Sequence, residues 1–354
     1  RPSFRVPRSM TELTIKNLVK AGLIDRHFFV KTDDQTIILP LVRNPTQLEI
    51  DELRKIVPNL SSGTEIFEPR TRRPRTLEEA LDDRMSSDSA SKLPRSFDIV
   101  GDVAILELDP ELAAFETGIA GAIMEVHPNV RAVFAKSGEV SGPERVRPLR
   151  YVAGENRTRT VHREHGCLFK VDLSKVFFSP RLSAEHQRVA LLVDKGERVV
   201  DMFAGAGPFS ILIAKRVGDV RVEAIDANPE AIELVRENAR ANKVESKVHA
   251  HLGDARNIVR EELAQTANRV IMNHPSASKD FIRDACDALQ PSGGIIHYYT
   301  FAGESWEEDS RREVELGVEA SGYVPERVLR VHRVREVAPM KRQVSVDLRV
   351  VRRQ

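Results

Sequence analysis

Residues 197–210, Glu-Arg-Val-Val-Asp-Met-Phe-Ala-Gly-Ala-Gly-Pro-Phe-Ser, constrain this chain more than any other stretch. A short β-branched run breaks into two glycines, and Pro208 then presets φ where a helix begins. Gly205 and Gly207 let the backbone take φ values that a side chain forbids and let it approach a bound molecule closely. Such a turn also opens dinucleotide sites. Here Ser210 stands where the third glycine of that fingerprint would be, and no lysine follows for a phosphate-binding loop. The pattern therefore favours a nucleoside of little charge over a pyrophosphate.

Further strand ends repeat the theme. Residues 220–225 end in Asp226-Ala227, where a carboxylate can accept both ribose hydroxyls. Residues 248–252 end in Gly253-Asp254-Ala255, whose acid can accept from an adenine amino group. Any one of these acids is explained as well by solubility, but the ordered set is not. With Asp201 and Phe203 on the first strand end, it reads as an S-adenosylmethionine pocket at the carboxyl ends of adjacent strands. The expected fold class is α/β, a Rossmann-like class I methyltransferase domain preceded by two smaller α/β domains.

A length of 354 residues implies two or three domains. The 54 basic and 53 acidic side chains nearly cancel, so a nucleic-acid partner has to be held by local patches. Cys167 and Cys286 have no partner at metal-binding spacing, which points to a reducing compartment and no metal site. With no membrane-length apolar run and no signal-peptide pattern, a soluble, cytoplasmic protein is expected, and it is taken as monomeric. The chain opens without methionine, and residues 1–8 are set aside from the fold as a remnant of trimming.

In chain order, residues 11–23 and 48–56 read as helices and 28–31 and 36–41 as strands, making a small module over 9–68. Residues 69–94, arginine-rich and then rich in serine and aspartate, read as a linker. A middle domain over 95–169 holds a hairpin around Gly101-Asp102, a helix over 110–126, and strands at 131–136 and 161–171. Its long polar loop, covering 141–160, contains Arg145 and Asn156; a loop of that length inside a compact domain is usually functional. From residue 170 to 354, strand and helix alternate, with Ser183 as an N-cap, Asn273-His274-Pro275 after the fourth strand, and two closing strands over 327–351.

Several motifs go beyond this pattern: the 199–210 run, Ala-Gly-Glu-Asn-Arg-Thr at 153–158, Phe-Ser-Pro-Arg-Leu at 178–182, Asn-x-Pro at 273–275, and Gly-Gly-Ile-Ile-His-Tyr-Tyr-Thr at 293–300. Together the chain resembles, over nearly its whole length, the archaeal and eukaryotic tRNA (guanine-N1)-methyltransferases that act at position 37. His274 stands where the family usually has leucine and Phe177 where archaeal members often have tyrosine.

The resemblance implies tRNA as partner and assigns roles by position. Glu185 matches the general base for the N1 proton, and Arg145 the donor to guanine O6. Asn273 matches the residue that orients the base and His186 one that touches the cofactor. Asn156, Arg181 and Pro275 fall in motifs on the substrate side. Two other readings stay open: a wyosine-pathway transferase, aminocarboxypropyl or bifunctional, and a non-catalytic tRNA-binding adaptor. The aminocarboxypropyl relatives lack the asparagine-proline triplet, and an adaptor has no need of Asp226, Asp254 and Glu185.

Overall fold

The computed structural model describes residues 1–69, 74–81, 92–94, 96–138 and 148–353. The chain divides into two compact units, Arg1–Arg75 and Thr76–Gln354.

In the first unit the strands β1 (Pro2–Pro7), β2 (Lys31–Thr32), β3 (Thr36–Pro40) and β4 (Ser61–Thr64) form a sheet in the order β2-β3-β1-β4. The expectation that residues 1–8 lie outside the fold is overturned. Strand β1 is an inner strand, antiparallel to both β3 and β4. Its alternating Phe4 and Val6 are fully buried with Leu18, Leu39 and Leu53 from the helices and strands around them. Helices Thr11–Lys20 and Gln47–Ile56 flank the sheet, the second started by a capping box between Thr46 and Glu49.

The second unit begins with β5 (Asp98–Val100) and β6 (Val103–Leu106), a hairpin at Gly101-Asp102 as expected. β7 (Ala132–Lys136) runs parallel to β6 after the helix Glu116–Val126, and β8 (Leu149–Gly154) pairs antiparallel with β7. The polar loop expected through residue 160 is thus partly a strand. β8 lies at the sheet edge with both faces partly exposed, so it carries no apolar alternation that would mark it. The single strand expected at 161–171 is a hairpin of β9 (Arg159–Glu164) and β10 (Cys167–Asp172), reversed at His165 and Gly166, whose φ values are +46° and +77°.

The largest sheet has seven strands in the order β13-β12-β11-β14-β15-β17-β16. Strands β11 (Arg198–Asp201), β12 (Arg221–Asp226), β13 (Val248–Leu252), β14 (Arg269–Met272) and β15 (Gly294–Ala302) are parallel. β16 (Tyr323–Ala338) and β17 (Lys341–Arg352) close one side antiparallel, as expected for the tail. Both faces are covered. Val199 lies in one apolar core and the next residue, Val200, in the other, so β11 reads as continuously hydrophobic. Helix Trp306–Ala320, which the sequence pattern did not bring out, buries only the narrow stripe Ser310, Val314 and Val318. Among the described residues no helix is long and apolar enough to cross a membrane.

Candidate active site

The loops after β11, β12, β13 and β14 surround a cavity of about 290 Å³. After Asp201 the chain turns across the neighbouring strand ends: the Met202 N–H donates to Ile271 O at 3.0 Å and that of Ala204 to Ile225 O at 2.9 Å. Gly205 and Gly207 follow at φ +54° and +81°, and Pro208 opens the helix Pro208–Arg216. Asp226 fixes this turn. Its Oδ2 accepts from the Gly205 N–H at 2.7 Å and its Oδ1 from that of Asn228 at 2.9 Å. The same acid therefore shapes the glycine loop and faces the cavity.

Of the expected cofactor residues, Phe203, Gly205, Asp226 and Ala227 line the cavity on one side. Asp254, Ala255, Asn273 and His186 line the rest. Asp254 caps the short helix Ala255–Ile258 and bonds the Arg256 Nε at 2.9 Å; this guanidinium holds its carboxyl below the ordinary value. His186 is buried, its Nδ1 2.7 Å from Glu164 Oε1 and its ring edge-on to Phe209 at 4.7 Å.

Asp201 and Gly207 do not line the cavity. Asp201 lies wholly buried beneath the turn, where Ser210 Oγ donates to it at 2.7 Å. Burial pushes its carboxyl up to about 7, Ser210 offsetting part of the effect. The φ of +81° at Gly207 is what requires glycine there, and a Cβ would also press on Ile211 and Val235 at 3.3 Å under the loop.

The expected substrate residues are dispersed. Pro275 is buried and does not line the cavity, Asn156 is exposed, and Arg181 pairs with Asp98 at 2.6 Å beside a second concavity. Arg145 lies outside the described residues. Ser183 opens the helix Ser183–Leu192 instead of capping it, and its hydroxyl meets His165 Nε2 at 2.9 Å.

Glu185 is buried, not the exposed first-turn residue that helix position alone suggests, and it does not line the cavity. Its carboxylate bonds Arg188 twice at 2.8 Å, accepts from the Tyr299 hydroxyl, and meets His332 Nε2 at 3.0 Å. Burial opposes its ionisation, but Arg188, His332 and Tyr299 outweigh that and hold it down to about 2. Arg188 in turn grips Asp347, which binds His297.

Sequence reading did not find the aromatic wall. Phe281 packs edge-on against Phe203 at 5.0 Å, Phe203 against His274 at 5.1 Å, and the Arg256 guanidinium covers Phe281 at 4.9 Å. Phe281 carries no signal in sequence beyond being apolar near a helix start.

The residues present fit S-adenosylmethionine. Aromatic and aliphatic walls suit a purine, two carboxylates suit hydroxyl, amino and sulfonium groups, and the guanidinium on the lining is paired with Asp254. A phosphate would meet net negative charge. Fold and cavity together define an S-adenosylmethionine-dependent methyltransferase of class I.

The family model for the TRM5/TYW2 methyltransferase domain matches residues 160–323, that for the TYW2 N-terminal domain 77–158, and that for the tRNA methyltransferase 5 N-terminal domain 4–49. The tRNA (guanine(37)-N(1))-methyltransferase Trm5b of Pyrococcus abyssi is 36% identical, covering 98% of both chains. A solved complex of aTrm5 with tRNALeu superposes with a TM-score of 0.82 at 31% identity, covering 99% of each chain. The tRNA(Phe) (4-demethylwyosine(37)-C(7)) aminocarboxypropyltransferase of Pyrococcus horikoshii is 32% identical over 77% of this chain and 96% of its own. The chain belongs to the tRNA (guanine(37)-N(1))-methyltransferase family.

Proposed function

We propose that this protein transfers the methyl group of S-adenosylmethionine to N1 of guanosine 37 in tRNA. The observation that carries this reading is the placement of Asn273, at the end of β14, on the wall of the cavity that Asp226 and Asp254 also line. An asparagine there can hold the edge of a base next to the bound cofactor, which supplies the electrophilic methyl. Retention of Asn273 and Pro275 favours methyl over aminocarboxypropyl transfer.

Within this reading Asp226 holds the ribose and Asp254 the adenine amino group. Guanine N1 is a poor nucleophile until its proton leaves, and Glu185 is the proposed acceptor. In its present bonds that carboxylate is fully ionised and amply supplied with donors, so proton acceptance requires Arg188 or His332 to loosen as the base enters. Charge then builds on O6, where Arg145 would stabilise it more in the transition state than in the ground state. The N-terminal module, 9–68, would check the folded tRNA, and the middle domain, 95–169, would hold its backbone. A concavity of about 850 Å³ beside β9 has Arg157, Arg159, Arg163 and Lys170 on its walls; Arg157 is paired with Asp102, and Arg159 and Lys170 with Glu237, so phosphate contact there would exchange those pairs for the RNA backbone.

The test is methyl incorporation into transcripts that differ only at position 37. Incorporation with guanosine and none with adenosine is expected; equal incorporation into both overturns the assignment of the base.

A further inference from the structure

The geometry points to a hydrogen-bond relay, Arg335 to Gln343 to Asn273, that fixes which end of the Asn273 amide faces the base and so selects guanine over adenine. The inference rests on the function proposed above and assigns Gln343 and Arg335 as positioning residues for specificity.

The argument starts from donor chemistry. A guanidinium can only donate. Arg335 Nε donates to Gln343 Oε1 at 2.8 Å, and Arg335 Nη1 donates to Ser179 Oγ at 3.0 Å, which anchors the arginine at a second point. With its oxygen held by Arg335, Gln343 has only its amide nitrogen to offer at its other end. That Nε2 donates to Asn273 Oδ1 at 3.2 Å. That bond holds the Asn273 oxygen toward β17, and its Nδ2 is the end turned to a ligand. Gln343 is 1% exposed, and β17 is hydrogen-bonded on both sides, by β15 and by β16, where Arg335 pairs with Gln343 in register. A glutamine there cannot turn over without leaving Arg335 facing an N–H group.

An Nδ2 donor meets an acceptor on guanine, the O6 carbonyl, but on adenine it meets the N6 amino group, itself a donor. The relay thus converts an asparagine, which by itself offers either end, into a one-way reader. The device lies on the tail strands, about seventy residues from Asn273 in sequence.

The experiment compares competition binding of full-length tRNA carrying guanosine or adenosine at position 37, for wild type and Gln343→Glu, together with methyl transfer to the guanosine transcript. Glutamate keeps its partner in Arg335 but can only accept, so Asn273 has to turn its Nδ2 away and present Oδ1. The guanosine-to-adenosine binding ratio should fall about 10-fold. Gln343→Met, which removes the donor without reversing it, should lower the ratio by less. A ratio unchanged in both variants, with any loss shared equally by the two RNAs, overturns the relay, because a merely structural role weakens both alike. Failure of the wild type to prefer guanosine would instead overturn the function on which the inference rests.

Discussion

Arg188 grips both carboxylate oxygens of Glu185 from one turn further along the same helix, at 2.8 Å to each. Glu185 is buried and Arg188 largely so, and Asp347 holds the other side of the guanidinium. This places the proposed base inside a charge network instead of leaving it open to the cavity.

That network sets a pH dependence. The folded value of Glu185, about 2, lies below its ordinary 4.5. Its stabilisation is therefore complete above about pH 4.5 and is lost as the pH falls toward 2. Glu185→Gln should flatten the acid limb of melting temperature against pH, and at neutral pH it should cost about 1–3 kcal/mol, because a charge-assisted hydrogen bond to Arg188 is weakened while Asp347 still holds that guanidinium. Single-turnover transfer should slow by about two to four decades. With tRNA limiting, so that the rate reports the free enzyme, no limb between pH 5 and 8 should trace to Glu185; a limb in that range that vanished in Glu185→Gln would contradict the network.

Asp201 has the opposite sign. Its folded value, about 7, lies above its ordinary 3.8, so stability is fully present below pH 3.8 and is lost as the pH rises through 7. Asp201→Asn keeps the hydrogen-bond acceptor for Ser210 and removes the buried charge. Thermal unfolding at pH 8 should show the variant more stable than wild type by roughly 2–4 kcal/mol, with the difference vanishing near pH 4. Equal stability at both pH values would show that Asp201 is not desolvated.

The two loop glycines should separate in their effects. Gly207→Ala puts a methyl 3.3 Å from Ile211 and Val235 at φ +81° and should cost about 1–3 kcal/mol of stability. Gly205→Ala carries backbone strain of its own at φ +54°, about 1 kcal/mol, but its methyl meets only the Phe177 carbonyl, at 3.5 Å, and the position lines the cavity. It should weaken S-adenosylmethionine binding, read by titration calorimetry, more than it lowers the melting temperature.

Strand β1 gives a test in the first unit. Phe4→Ala should destabilise that unit by about 3–5 kcal/mol, read by hydrogen exchange of residues 36–41. Removal of residues 1–8 should leave 9–75 open to proteolysis, because β3 and β4 lose the strand between them. Unchanged protection would show that β1 is dispensable.

The sequence by itself determined the parallel sheet, the glycine turn, and the acids at its strand ends, because each of these is a local requirement. A β-branched run needs burial on both faces, φ near +80° needs glycine, and a strand that ends in Asp226 places that acid beside the turn. Gly205, Asp226, Asp254 and Asn273 were legible for that reason. Tertiary structure alone decided that Asp201 lies under the site and not on it, that Glu185 is enclosed by Arg188, Tyr299 and His332, and that Pro2–Pro7 is an inner strand. It also placed Gln343 against Asn273. These are contacts between residues far apart in the chain, and a side chain's direction, its donors and its desolvation exist only once the strands have been brought side by side.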